Sequence, residues 1–295
     1  MFGNFVIPVY FAPPGPDLQV RARFAAEDVA AAFRADRVQY LGTGGFGESW
    51  LVETGSHRQV AKVIHNRSCP IDRLTREVEG LIRLDSPRVV RLLDVCGVLL
   101  RSDRWPALLF EYVEGGNVHS RLVAGDWPTV SEVIAFATAL LDGLEYLHAH
   151  DAVHRDLKPE NIALRHAGWD EPVILDLGLV KLLDQPTITP DPAVIGTPAF
   201  MAPEQLRCEK AGKQADMWAV GVILHLLLAH EHPFYDEIPL DERQALQRIH
   251  AGPRPLPDHV TAPLRPLVQR LLDPIRHRRG SAARALRDLQ AVVTQ

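Results

Sequence analysis

The first part of the chain consists of short alternating or apolar stretches separated by residues that favour turns. Alternation over residues 38–41 and 48–53 predicts two strands joined by a glycine-containing turn. Residues 60–64 and 107–110 are mainly apolar and predict two further buried strands. This pattern indicates an antiparallel sheet.

The remaining apolar pattern favours helices. Leu81 and Leu84 follow Glu77 at four and seven residues, which predicts an amphipathic helix. Residues 219–229 form the longest apolar run, which predicts a buried helix that is too short to span a bilayer. A short apolar run at residues 173–175 predicts one more strand.

The first 36 residues follow a pattern of their own. Residues 2–11 alternate enough to predict a strand, and the sequence Pro-Pro-Gly-Pro at residues 13–16 forms a rigid break. Residues 24–34 are rich in alanine, with apolar side chains spaced for a short helix.

Composition narrows the class of protein. The chain has 295 residues, 46% of them hydrophobic and 23% charged, which is typical of a globular protein. A net charge of -5 argues against nucleic acid or an anionic membrane as the main partner. Cys69, Cys96 and Cys208 lie far apart, which predicts neither a metal site nor a disulfide framework. Without a basic N-terminal region, no signal peptide is expected, so we predict a soluble cytoplasmic protein.

The strongest chemical signal is the sequence His-Arg-Asp-Leu-Lys-Pro-Glu-Asn at residues 154–161. It places the carboxylate of Asp156, the ammonium of Lys158 and the carboxamide of Asn161 in one short loop. Phosphoryl transfer from ATP uses such a set: a base for the acceptor hydroxyl, a cation for the moving phosphoryl group and an oxygen ligand for a metal ion.

This loop resembles the catalytic loop of eukaryotic-type serine/threonine protein kinases. Other motifs of that family occur in the family's order, from about residue 37 to the end of the chain. They are the glycine-rich segment 41–47, the lysine strand with Val60-Ala61-Lys62, Glu77, Asp176-Leu177-Gly178, Gly196-Thr197-Pro198, Ala202-Pro203-Glu204, Asp216 and Arg279.

The resemblance implies an α+β, two-lobed protein kinase fold. Residues 37–113 would form a small lobe of about five antiparallel strands and one helix, including the hinge, and residues 114–295 a larger, mainly helical lobe. ATP would bind between the lobes. Residues 1–36 would be an extension that packs on the small lobe. A second hypothesis makes them an arm that binds a regulatory protein or a second copy of the chain.

The resemblance also assigns the residues that bind ATP. Backbone N–H groups near Gly42, Gly44 and Gly47 would approach the phosphates, since glycine permits close approach. Lys62 would contact the α- and β-phosphates and pair with Glu77. The adenine pocket would include Ser49, Val60, Phe110 as the gatekeeper, the hinge residues Glu111 and Val113, and Ala163.

Three of these positions depart from the family pattern. Ser49 replaces a valine above the base, Val60 replaces an alanine, and Ala163 replaces a leucine below the base. The changes at positions 49 and 163 remove apolar bulk and the one at position 60 adds it. Losing the valine and leucine contacts would weaken nucleotide binding by about 1–3 kcal/mol in sum.

The resemblance gives each group of the catalytic loop a role. Asp156 would accept the proton of the substrate hydroxyl or orient that hydroxyl, and Lys158 would neutralise charge on the phosphoryl group. Asn161 and Asp176 would bind Mg²⁺, with Mn²⁺ as the alternative ion. Lys158 and Thr197 match kinases that modify Ser/Thr hydroxyls of proteins.

Structural and regulatory roles complete the comparison. Asp216 would brace the catalytic loop, and Glu204 would pair with Arg279, although neighbouring arginines compete for that assignment. Residues 176–204 would form the activation segment. Phosphorylation is predicted in this segment at Thr187 or Thr189. The phosphate would lie near three basic residues, Arg73, Arg155 and Lys181.

Two other functions are open at this point. The altered adenine pocket is the one feature that favours a pseudokinase scaffold. A kinase-like small-molecule phosphotransferase shares the Asp156 and Asn161 chemistry, but such enzymes usually lack the segment 197–204 and the Asp216 helix. The leading hypothesis is a serine/threonine protein kinase, and its Ala-, Arg-, Leu- and Pro-rich composition resembles that of bacterial proteins.

Overall fold

The computed structural model describes residues 22–44, 47–66, 71–176, 198–236, 241–260 and 264–293. These residues divide into two compact units, and the chain passes from the smaller to the larger between Val113 and Glu114. The smaller unit is mainly β-sheet and the larger is mainly helical, which confirms the predicted α+β fold class.

The smaller unit is built on one five-stranded antiparallel sheet in the order β1-β2-β3-β5-β4. The strands are β1 (Arg37–Thr43), β2 (Gly47–Thr54), β3 (His57–Ile64), β4 (Leu92–Leu100) and β5 (Asp103–Glu111). Two helices accompany the sheet, α1 (Ala26–Phe33) and α2 (Ile71–Ile82). The strands predicted around residues 38–41, 48–53, 60–64 and 107–110 are confirmed, and each is longer than predicted.

Both helices were predicted, but the bounds of α2 differ from the apolar pattern. The helix begins six residues before Glu77, and Leu84 lies beyond its end at Ile82. Leu84 is nevertheless buried, so the apolar spacing continues into the loop that leads to β4.

Helix α1 packs on one face of the sheet and brings residues of the N-terminal region into its core. Phe24 and Val29 are buried there, and the Phe24 ring lies edge-on to Trp105 at 5.7 Å between centroids. The carboxylate of Glu48, at the start of β2, is also buried and accepts the backbone N–H groups of Arg23 and Phe24. A buried carboxylate is thus satisfied by the residues that precede α1.

The larger unit contains seven described helices and a two-stranded ribbon. The helices are α3 (Val118–Val123), α4 (Val130–Ala149), α5 (Pro203–Leu206), α6 (Lys213–Ala229), α7 (Glu242–His250), α8 (Leu264–Leu271) and α9 (Ala282–Val293). The ribbon pairs β6 (Ile162–Leu164) with β7 (Pro172–Ile174).

Helix α6 lies at the centre of this unit. Fourteen consecutive residues, 215–228, are buried, and the helix packs against α4 and α8. The predicted apolar helix at residues 219–229 is therefore confirmed as a core helix. In the described part of the chain, no helix combines the length and the apolarity that crossing a bilayer requires.

Candidate active site

The glycine turn between β1 and β2 depends on the absence of side chains. Gly42 has a φ of 150° at a bulge in β1, and the Gly44 N–H donates to the Gly47 carbonyl at 2.9 Å. A Cβ on Gly47 would lie 2.0 Å from the backbone oxygen of Val63 on β3. Glycine is required at this close approach. Gly45 and Phe46, at the tip, lie outside the described residues.

Strand register places four of the predicted nucleotide residues of the smaller unit on one face of its sheet. Ser49 pairs with Lys62, and Val60 pairs with Phe110. Paired residues point to the same side, and alternate residues share a face, so these four side chains lie opposite the α1-covered face. The predicted partner of Lys62, Glu77, belongs to α2, but its side chain lies outside the described residues, so this pair stays a prediction.

The end of β5 is fixed to the start of β4. The Glu111 N–H donates to the Arg91 carbonyl at 3.0 Å, and the Arg91 N–H donates to Glu111 Oε1 at 3.1 Å. Val113, two residues later, is buried and ends the smaller unit. The predicted hinge residues thus lie where the chain leaves the sheet.

In the larger unit, Ala163 lies on β6 beside the segment that follows the hinge. The Leu164 N–H donates to the Gly116 carbonyl at 2.8 Å, and Asn117 forms a bridge with Ala163. A Cβ on Gly115 would lie 1.7 Å from the Leu164 oxygen, so the two backbones require glycine at this contact. Ala163 itself is buried.

Two of the three chemical groups of the catalytic loop contact the third, the carboxylate of Asp156. Lys158 Nζ lies 3.0 Å from Asp156 Oδ2. Asn161 Nδ2 donates to the Asp156 carbonyl at 2.7 Å and reaches the same Oδ2 at 3.2 Å. The Asp156 side chain nevertheless remains 43% exposed. The carboxylate is therefore oriented by two donors and still accessible to an acceptor hydroxyl.

Asp216 holds this loop from helix α6, as predicted. Its buried carboxylate accepts the Arg155 N–H at 2.7 Å and the His154 N–H at 3.0 Å. Nε2 of His148, on α4, lies 2.8 Å from Asp216 Oδ2, the oxygen that accepts the His154 N–H. Arg155 has a φ of 66°, a conformation that costs about 1–2 kcal/mol outside glycine. The two backbone hydrogen bonds to Asp216 compensate for that strain at the residue before Asp156.

The ribbon β6–β7 brings the two predicted metal ligands to one end. Asn161 immediately precedes β6, and Asp176 follows β7 by two residues. The Leu175 N–H donates to the Asn161 carbonyl at 2.9 Å, which joins the two segments. Because the Asn161 amide nitrogen is directed to Asp156, its Oδ1 is the atom suited to a cation. One amide oxygen and one carboxylate fit the oxygen ligands of a hard divalent ion.

The described chain resumes at residue 198, and this segment is anchored at Glu204, which forms a bidentate ion pair with Arg279. The oxygen–nitrogen distances are 2.7 and 2.8 Å, and both side chains are buried. This confirms Arg279 over its neighbours. Next to it, Gln205 donates to the Arg155 carbonyl at 2.6 Å and accepts the Ala202 N–H at 3.0 Å. Glu204 and Gln205 thus attach this segment to the core and to the catalytic loop.

Most of the predicted regulatory residues belong to the part of the chain that the structure does not describe. Thr187, Thr189, Thr197 and Lys181 lie outside the described residues, and so does the Arg73 side chain. The sequence analysis in turn missed His148 and Gln205. Nothing in the sequence distinguishes a histidine or glutamine that holds a catalytic loop from one that fills the core or lies at the surface.

Comparison with known proteins identifies the family. The model of the protein kinase domain matches residues 35–289. The chain belongs to the protein kinase family. The match includes both units of the fold and every candidate site residue described above.

Individual relatives are protein kinases by name, and two of the three described here are named serine/threonine-protein kinases. This kinase is 32% identical over 268 residues to serine/threonine-protein kinase pkn2 of Myxococcus xanthus, covering 85% of this chain and 31% of the relative. It is 34% identical over 234 residues to serine/threonine-protein kinase SRK2I of Arabidopsis thaliana, covering 77% of this chain and 62% of the relative. With CBL-interacting protein kinase 4 of rice, Oryza sativa subsp. japonica, it shares 36% identity over 247 residues, or 79% of this chain and 52% of the relative.

The chain thus spans between about a third and two thirds of the length of these relatives. These relatives are all protein kinases by name, which agrees with the family that the domain model identifies. The family implies the use of ATP with a divalent metal ion and of protein substrates.

Proposed function

We propose that this chain transfers the γ-phosphoryl group of Mg²⁺-bound ATP to Ser/Thr hydroxyls of proteins. The observation that carries the proposal is the Asp156, Lys158 and Asn161 arrangement. It combines an exposed carboxylate with a cation 3.0 Å away and a carboxamide within hydrogen-bond distance. A pseudokinase needs none of these groups in contact.

Asp156 orients the acceptor hydroxyl and accepts its proton as the oxygen attacks phosphorus. Its carboxylate accepts a hydrogen bond from Asn161, and its backbone is held because Asp216 accepts the N–H groups of the two preceding residues. Lys158 stabilises the negative charge of the phosphoryl oxygens. The acceptor proton moves to Asp156, the oxygen–phosphorus bond forms, and ADP leaves with the bridging oxygen.

Asn161 and Asp176 hold the divalent ion, which supplies charge neutralisation at the phosphates. Mg²⁺ is the proposed ion and Mn²⁺ the alternative, because both prefer oxygen ligands. Lys62, with Glu77 as its proposed partner, contacts the phosphates from the smaller unit, together with the turn that contains Gly42, Gly44 and Gly47. Ser49, Val60, Phe110, Glu111, Val113 and Ala163 surround the adenine in this proposal.

Purified chain incubated with Mg²⁺, radiolabelled ATP and dephosphorylated casein tests the proposal. We expect label on casein, and a loss of at least about a hundredfold in kcat for Asp156→Asn, the range for removal of a general base. Glu160→Gln, a carboxylate change in the same loop that alters no proposed role, serves as the control. Equal transfer by wild type and Asp156→Asn would refute the assignment of Asp156.

Regulation is a separate part of the proposal. Autophosphorylation at Thr187 or Thr189 would place a phosphate near Arg155, Lys181 and Arg73 and order the activation segment. The first 36 residues are proposed to act mainly as part of the smaller unit, with binding of a regulatory protein or a second copy as the alternative. Peptide mass spectrometry of active protein that finds neither threonine modified would contradict the regulatory proposal and leave the phosphotransfer proposal standing.

A further inference from the structure

His232, in the turn after α6, is fully buried and hydrogen-bonded on both sides of its ring. Its Nε2 lies 2.8 Å from the carbonyl oxygen of Ala199. Its Nδ1 accepts the backbone N–H groups of Phe234 at 3.1 Å and Tyr235 at 3.2 Å. The ring therefore joins two segments that are 33 residues apart in the sequence.

These partners fix the form of the imidazole. Both groups that face Nδ1 are donors and the group that faces Nε2 is an acceptor, so one neutral tautomer, with its proton on Nε2, satisfies all three bonds. Burial lowers the pKa of His232 to about 3, which agrees with a neutral ring. The ring also stacks on Tyr235 at 4.6 Å between centroids. His232 is thus held in one orientation, with its N–H directed at Ala199.

The bond to Ala199 fixes the segment beside the catalytic aspartate. Ala199 is the centre of a 3-10 turn at Pro198–Phe200, and Phe200 and Met201 line a small cavity together with Asp156. Gln205 ties the other end of this segment to the catalytic loop through the Arg155 carbonyl. The residues next to Asp156 are therefore attached at two points, one of which is His232.

We propose that His232 is a positioning residue for the protein acceptor. Its Nε2–H bond to Ala199 keeps Phe200 and Met201 in place, so that a bound polypeptide presents its hydroxyl to Asp156. The inference rests on the proposed phosphotransfer and adds a determinant of acceptor binding outside the catalytic loop. It assigns His232 no contact with ATP or with the moving phosphoryl group.

Two substitutions separate the two sides of the ring. His232→Asn keeps an acceptor near the position of Nδ1 and removes the donor to Ala199. His232→Gln can place an N–H₂ group near the position of Nε2 and restore that donor. Loss of one hydrogen bond predicts a rise of about three- to tenfold in the KM for dephosphorylated casein in His232→Asn. We expect His232→Gln to stay within about twofold of wild type for the same reason.

The KM for ATP and the casein-independent hydrolysis of ATP distinguish positioning from general damage, and both should be unchanged in His232→Asn. His225→Asn is the matched control. His225 is buried in α6 and contacts the carbonyls of Glu231 and Arg254 rather than Ala199. It should lower the urea midpoint without raising the KM for casein.

The result that overturns the inference is an active His232→Asn variant with a wild-type KM for casein, or equal rises in the KM values for casein and ATP. If His232→Asn does not fold, a more than twofold rise in the casein KM of His232→Gln overturns it, and a smaller change supports it. If the wild-type chain transfers no phosphate, the proposed function fails and the inference fails with it. If the inference alone fails, the wild-type chain still phosphorylates casein, so the two failures are distinguishable.

Discussion

Replacing Arg279 by alanine should destabilise the larger unit severely. The guanidinium is completely buried and donates to both carboxylate oxygens of Glu204. It also donates to the carbonyls of Asp273 at 2.8 Å and Gln214 at 2.9 Å, and it lies 4.9 Å from the centre of the Trp218 ring. All of these contacts are lost together when the side chain is truncated.

The magnitude follows from what the truncation leaves behind. Glu204 is buried, and without Arg279 its charge has no compensating cation. Removing one member of a buried ion pair costs about 3–5 kcal/mol. Arg279→Lys keeps the charge but cannot make the bidentate contact, so we expect a smaller loss of about 1.5–3 kcal/mol.

Urea unfolding at pH 7, followed by circular dichroism, measures these losses as a fall in the free energy of unfolding. Arg278→Ala is the control, because Arg278 is 61% exposed and its nearest carboxylate oxygen, on Asp273, is 3.9 Å away. Surface substitutions of this kind change stability by about 0.5 kcal/mol or less. An Arg279→Ala variant no less stable than Arg278→Ala would refute the argument that the buried pair stabilises this unit.

Three further predictions concern the smaller unit, the pH dependence and the nucleotide. Glu48→Gln should destabilise the smaller unit by about 1–3 kcal/mol, because the hydrogen bonds from buried N–H groups to the carboxylate lose their charge assistance. Urea unfolding followed by tryptophan fluorescence measures this loss, and Glu53→Gln at the partly exposed end of β2 should cost much less. Burial lowers the pKa of His232 to about 3, so the contribution of the neutral ring to stability is complete above about pH 6.5 and falls as pH decreases, by about 2 kcal/mol at pH 5. His232→Asn should lack this part of the pH dependence of the free energy of unfolding. An unchanged pH dependence in urea unfolding would contradict the prediction. Combining Ser49→Val with Ala163→Leu should tighten Mg²⁺–ATP binding by about five- to 150-fold in calorimetry, which corresponds to about 1–3 kcal/mol. Unchanged affinity would show that these positions do not contact the base.

The sequence predicted the elements whose signal is local. Strands at residues 38–41 and 60–64 and the helix at 219–229 were found because apolar periodicity and length specify them directly. Apolar periodicity does not specify where an element ends. Leu84 continues the apolar spacing of α2 but lies outside the helix, because burial in the following loop gives the same pattern as burial on a helix face.

The sequence does not predict the roles of residues whose partners lie far away in the chain. Arg279 could not be separated from its neighbours by sequence, because all are arginine or histidine, and the fold alone decides which side chain reaches Glu204. Glu48 looks like an exposed strand residue until the Arg23 and Phe24 backbone is placed over it. The same holds for His232, whose partner Ala199 is 33 residues away.

The catalytic loop was predicted almost completely from the sequence, because its chemistry resides in residues only five positions apart. Spacing alone suggested that Asp156, Lys158 and Asn161 act together, and the structure brings their side chains within hydrogen-bond distance. The support from Asp216 was also predicted, but only through the family resemblance, since the two sites are 61 residues apart.

The most direct test of the proposed function is phosphosite mass spectrometry of purified chain after incubation with Mg²⁺ and ATP, with Asp156→Ala in parallel. We predict phosphate on serine or threonine residues of the wild-type chain, including Thr187 or Thr189, and none on the variant. Nucleotide binding without phosphate on the chain or on dephosphorylated casein would contradict the proposal and favour a scaffold that binds ATP without using it.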